Sequence, residues 1–179
     1  RQMCIRDSTG NMIETMNEHR GVGIAANQVG SLQKVCIIHT PDMEEPMVLV
    51  NPEITNREGE REVVEGCLSI PGYRGMVRRS VKVRARALGL DGKVIRINAD
   101  ELLAQALEHE TDHLNGILYI DHLVSPDSLW KISERDDEDG GDVDKTKKRN
   151  WSQAWHQGWG SGWTKRWHGK DWSDSSSQG

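Results

Sequence analysis

The chain has no run of 18 apolar residues, so no segment reads as a membrane-spanning helix. Cysteine is scarce as well. Cys4, Cys36 and Cys67 are too few and too scattered for a disulfide framework, which fits a reducing cytosol. Basic residues are not in excess, with 23 Lys and Arg against 28 Asp and Glu. The one alternating basic segment, residues 80–87, has no interleaved aromatics, which argues against nucleic-acid binding. No secretory or transit signal is visible, and an organellar origin stays open. Phe is missing altogether, and six of the seven Trp fall in the last thirty residues. At 179 residues, with about 130 outside that tail, one domain with a proper core is the natural count.

The remaining residues pattern as an α+β domain, with antiparallel β-sheets expected to wrap around a central metal-binding α-helix. Leu32-Gln33-Lys34-Val35-Cys36-Ile37-Ile38 and Met47-Val48-Leu49-Val50 are apolar runs of strand length, and Glu62-Val63-Val64 is a shorter one. Ser80 to Ala87 alternates apolar and basic residues, the pattern of a half-buried strand with one wet face. Leu90-Asp91-Gly92 is a turn signal, and Lys93 to Asn98 returns as the hairpin partner. A later strand is expected at Ile117-Leu118-Tyr119-Ile120. The helix lies between: Asn98-Ala99-Asp100-Glu101 reads as an N-cap with a Glu three residues on, and Gly116 as the stop.

That helix carries His109-Glu110-Thr111-Asp112-His113. Side chains four apart lie one above the other, so both imidazoles can reach one cation. Glu110 stands where a carboxylate can take a proton from a metal-bound water. Leu102 and Ala106 share this face. A catalytic cation usually takes three protein ligands and keeps one position open. The upstream segment Glu65-Gly66-Cys67-Leu68-Ser69 offers Cys67 as the third, on or beside a strand and just before Pro71-Gly72. A thiolate there would bind the cation and lose its proton in doing so. Taken alone, Cys67 reads as a small buried hydrophobe; taken with the histidine helix, it reads as the ligand.

Three segments, Gly21-Val22-Gly23-Ile24-Ala25-Ala26-Asn27-Gln28, Glu65 to Ser69 and His109 to His113, resemble in order and spacing the signature motifs of the peptide deformylases. The resemblance runs from about Asn11 to Leu123. It implies an enzyme that removes the formyl group from the N-terminal formyl-methionine of newly made bacterial and organellar proteins. It also implies a metal held by Cys67, His109 and His113, with Glu110 as general acid/base and Gln28 binding the oxyanion. One divalent ion is implied, Fe²⁺ first, with Zn²⁺ or Ni²⁺ as replacements. Val22, Leu102 and Ala106 would border the methionine pocket, though periodicity alone makes them core residues. Arg74 matches an arginine near the family's substrate groove. Arg79 could pair with Asp112 and orient the metal helix.

The chemistry is consistent with that assignment. Formamide hydrolysis needs a strong nucleophile, here a metal-bound water attacking the formyl carbon, and a proton for the amine leaving group. Glu110 would supply the proton transfer. Charge on the formyl oxygen needs donors, and the Gln28 amide and Leu68 N–H are the candidates, each worth about 3 kcal/mol if well placed. Gly23, like Gly21, lets the backbone pass close to the peptide. The expected partners are N-formylmethionyl nascent chains, at the ribosome or free of it. The expected protein is a monomer in the bacterial cytoplasm, with no membrane and no direct nucleic-acid contact.

Both ends depart from the family pattern. Residues 1–10 match nothing in it and read as a truncated or foreign start, while 11–130 carry the catalytic pattern. Residues 131–179 form a charged and then Trp/Gly/Ser-rich extension. Within it, Ser133 to Lys148 reads as a linker, and Trp151, Trp155, Trp159, Trp163 and Trp167 recur every four residues. Interspersed glycines argue against a helix there, and disorder is the expectation. Two readings compete with a deformylase. One is another HExxH metallopeptidase, which would need a distal ligand instead of Cys67. The other is a metal-binding fragment inactivated by truncation.

Overall fold

The computed structural model describes residues 2–132, with side chains from residue 8 onward. Of the extension proposed for 131–179, Lys131 is the last residue of a strand, Leu129–Lys131, and residues 133–179, with the linker and the Trp-rich stretch, lie outside the described residues. In chain order the elements are α1 (Gln2–Glu18), β1 (Gly23–Ala25), β2 (Val35–Ile38), β3 (Met47–Glu58), β4 (Arg61–Cys67), β5 (Ile70–Arg79), β6 (Lys82–Leu88), β7 (Val94–Asp100), α2 (Glu101–Leu114) and β8 (Leu129–Lys131). Short 3-10 helices cover Ala26–Val29, Tyr119–His122 and Pro126–Ser128. The strands form two antiparallel sheets, one ordered β1-β2-β3-β6-β7 and the other β4-β5-β8. This is the α+β arrangement expected from the sequence.

Alternation explains the larger sheet. On β6, Val83, Ala85 and Ala87 are buried while Lys82, Arg84 and Arg86 face water. The hairpin to β7 pairs Lys82 with Asp100 through Leu88 with Val94. Gly92 adopts φ 78° in the connecting turn, where an L side chain would be strained. On β2 all four residues are buried because both faces of the sheet are covered there. Cys36 and Ile38 face one apolar cluster with Ala104, Ala106 and Leu107 of α2. Val35 and Ile37 face the other, with Met12 and Met16 of α1. Each fully buried side chain of this size contributes about 1.5–3 kcal/mol.

Three local expectations need correction. Asn98 is not a helix cap: it pairs with Arg84 inside β7, and α2 begins only after Asp100. Asp100 makes no side-chain cap bond. Arg61 on β4 fastens the entry instead, donating to the Glu101 carboxylate and, at 2.5 Å, to the Glu101 carbonyl. Glu101 itself sits at φ 47°, an uncommon conformation for a residue other than glycine. The strand expected over 117–120 does not form, and Tyr119–His122 is a 3-10 helix with Tyr119 buried. The run at Leu32 becomes a strand only from Val35, with Leu32 almost fully exposed. Gly116, at φ 79°, does close α2 as expected.

Candidate metal and active site

α2 presents its two histidines toward the end of β4, where Cys67 is the last residue of the strand. The Cys67 Sγ lies 3.0 Å from His113 Nε2, which lies 3.1 Å from His109 Nε2. The three ligand atoms fall within 4.8 Å of one another, and no other group of this kind occurs among the described residues. Bonds of about 2.0–2.3 Å from one thiolate and two imidazoles would converge in such a space, so this donor set fits a divalent cation. The structure brings together Cys67, His109 and His113, the three residues expected as ligands.

Glu65 holds the next layer. Its Oε2 is 2.8 Å from His109 Nδ1, so the imidazole's outer nitrogen is engaged and Nε2 is left facing Cys67 and His113. Arg79 grips the same carboxylate with two bonds of 2.8 and 2.9 Å. It reaches Asp112 of α2 with a third, at 2.5 Å, as anticipated for an orienting arginine. Burial works against an ionised Glu65, but the hydrogen bonds from His109 and Arg79 outweigh it and bring its pKa to about 2. Burial likewise disfavours the Cys67 thiolate, yet His109 and His113 hold it down at about 5. His109 is raised to about 10, its burial overcome by hydrogen bonds to Cys67 and Glu65. A cation taking the Nε2 lone pair would release that proton.

Glu110 is the opposite case. Burial pushes its carboxyl up to about 7, against the lowering pull of His109 and His113. Its Oε2 is buried without a hydrogen-bond partner. The side chain lies hard against β1. A Cβ built on Gly23 would overlap the carboxyl oxygen and come within 2.8 Å of Glu110 Cδ and Cγ. A proton-transfer group poised near neutrality, with one oxygen unoccupied, suits general acid/base work.

Gln28 enters from the 3-10 helix after β1. Its Oε1 accepts from Ala25 N–H at 2.8 Å, which turns Nε2 toward Ser69 Oγ (3.1 Å) and Cys67 Sγ (3.6 Å). An amide donor is thus aimed at the ligand cluster, where developing negative charge would need it. Leu68 follows Cys67 directly and is partly exposed. Val22 packs against the edge of the α2 cluster and Ala106 lies inside it, so both also serve the core. Arg74 is half-buried in β5 and stands beside Gly66, where a Cβ would meet its Cγ at 3.5 Å.

Sequence reasoning left Glu65 and Ser69 without roles. Strand alternation was the available signal, because Val63, Glu65 and Cys67 occupy one face of β4. An acid on the face of a ligand is a natural partner for that ligand's neighbour. Tyr119 was read only as a strand residue. Its ring stacks on His109 with centroids 6.4 Å apart.

An HExxH helix beside a cysteine-bearing strand, among antiparallel sheets, gives a donor set suited to one divalent cation. Residues 2–128 match the family model described as Polypeptide deformylase. A peptide deformylase of Dehalococcoides mccartyi (strain CBDB1) is 52% identical over 126 residues, covering 70% of this chain and 75% of that protein. The crystal structure of a peptide deformylase from Legionella pneumophila superposes with a TM-score of 0.66 at 43% identity, over 70% of this chain and 74% of the other. That of Synechococcus elongatus, in complex with actinonin, gives 0.66 at 37% identity over 69% and 68%. The chain belongs to the polypeptide deformylase family, whose enzymes remove an N-formyl group.

Proposed function

We propose that this chain hydrolyses the N-formyl group of formyl-methionine on newly made proteins, using one divalent cation held by Cys67, His109 and His113. The observation that carries the reading is the convergence of those three ligand atoms with the buried Glu110 beside Gly23. A cation bound there would supply a Lewis acid that polarises the formyl oxygen and increases the acidity of water. Glu110 accepts a proton from the attacking water and returns it to the amide nitrogen as the C–N bond breaks, releasing formate and a free amine. The Gln28 Nε2–H, at present shared with Ser69 Oγ, and the Leu68 N–H are the donors we assign to the oxyanion. Glu65 fixes the tautomer and direction of His109.

We assign the methionine side chain to the surface around Val22, Leu102 and Ala106. Gly23 and Arg74 would lie along the peptide backbone. Fe²⁺, Zn²⁺ and Ni²⁺ all suit one thiolate and two imidazoles, and availability selects among them. The partner is a nascent peptide, met at the ribosome or after release, and the working form is a monomer in the bacterial cytoplasm. No helix among the described residues is long and apolar enough to cross a membrane. A peptidase of another HExxH class is disfavoured because a cysteine occupies the third-ligand position.

The test is formate release from formyl-Met-Ala-Ser by anaerobically prepared, metal-loaded protein. Glu110→Ala should abolish release with the metal still bound, and Cys67→Ser should lose the metal. Absence of formate from folded, loaded wild-type protein would overturn the reading. Actinonin, present in the Synechococcus elongatus complex, should inhibit this protein too.

A further inference from the structure

The residue before Gln28 makes a contact that the proposed chemistry does not use. Asn27 Nδ2 donates to the backbone carbonyl of His113 at 2.5 Å, across 86 residues of sequence. A carbonyl oxygen can only accept, which fixes the orientation of the Asn27 amide. The carbonyl belongs to the last turn of α2, where the helix leaves acceptors without intrahelical partners. Gly116 N–H supplies one donor to it at 3.0 Å, and Asn27 supplies a second.

His113 is therefore held from two sides. Its ring joins the ligand cluster, while its carbonyl is tied to the 3-10 helix that carries Gln28. Gln28 has no comparable tie to α2. Its carboxamide is fixed within its own turn by Ala25 N–H and otherwise touches Ser69 and Cys67 across the cleft. β1 packs on α2 through Ala25, and among the described residues the Asn27 bond to His113 is the hydrogen bond that joins the Gln28 turn to that helix. We propose that Asn27 is a positioning residue that sets the Gln28 donor relative to the ligand cluster.

The inference rests on Gln28 acting as the oxyanion donor in the deformylase reading. A misplacement of about 1 Å in a reacting group can lower rate by about a hundredfold. A partly constrained turn should lose less. Asn27→Ala is expected to lower kcat about tenfold on formyl-Met-Ala-Ser, with KM, metal content and Tm unchanged, because the residue is exposed. Asn27→Asp, which presents a carboxylate oxygen to the carbonyl, should do at least as much. In a Gln28→Ala background the same substitutions should change kcat less than twofold, since the group they position is gone.

A second readout does not need turnover. In Zn²⁺-loaded, ¹⁵N-labelled protein, Asn27→Ala should shift or broaden the Gln28 side-chain amide signals. Unmoved signals, wild-type kcat, or an undiminished loss in the Gln28→Ala background would each overturn the proposal. A wild-type protein that releases no formate would sink the deformylase reading. The amide signals alone would then decide the positioning: displaced signals support it and unmoved ones overturn it.

Discussion

A single added methyl group tests the packing around Glu110. Gly23→Ala would place its Cβ against the Glu110 carboxyl, and the buried side chain would have to swing away from the ligand cluster. The expected result is a loss of kcat on the order of a hundredfold, with Tm lowered by only a few degrees, read by formate assay and thermal melt. Glu65→Gln tests the layer behind the ligands. It keeps the shape but weakens the hold on His109 Nδ1, and metal affinity measured by competition with a chelator should fall by about 10–100-fold. Retention of full affinity would sink the orienting role. These residues differed in how readable they were. Cys67, His109, Glu110 and His113 stood out because their types and spacing carry chemistry by themselves. Glu65, Ser69 and Asn27 matter through partners 44, 41 and 86 positions away, and local pattern does not encode such distances.

Among elements, the joint between β5 and α2 is the most exposed to a single change. The side chains of Arg79 and Glu65 are each about 3% exposed, and Asp112 shares the same guanidinium. Arg79→Met keeps most of the volume but removes the guanidinium shared by two buried carboxylates, leaving Glu65 with His109 and Asp112 with His122. Breaking such a buried network costs about 3–5 kcal/mol, which should appear as a clear drop in the urea midpoint. A midpoint within error of wild type would contradict the assigned role. Strands with one wet face were readable, as β6 and its hairpin partner β7 show by their alternation and Gly92 turn. Element ends were less so. The Asn98 signal for a cap was genuine as local chemistry, but pairing with Arg84 claimed that residue, and Arg61 took over the helix entry from another strand. At 117–120 the apolar run has the composition of a strand, yet burial of Tyr119 beside His109 requires a tight turn there.

For the whole molecule, a cation bound as proposed should contribute to stability as well as chemistry, because the ligands assigned to it come from β4 and α2. Treatment with a chelator should lower Tm, and reloading with Zn²⁺ should restore it. At a hundredfold excess over Kd the gain is about 2.7 kcal/mol. An unchanged Tm would mean the ligands do not act together. The two sheets are attached to α2 by different forces. Neither apolar cluster contains a residue of β4, β5 or β8. Those strands meet α2 through Glu65 with His109, Arg79 with Asp112, Arg61 with Glu101 and Gln105 with the Val64 carbonyl. Polar contacts of this kind exchange readily for water once a gap opens. In deuterium exchange, backbone amides of β2, β3 and β6 should therefore be protected up to the global unfolding free energy. Those of β4 and β5 should open earlier as a unit, and bound metal should slow that opening by riveting strand to helix.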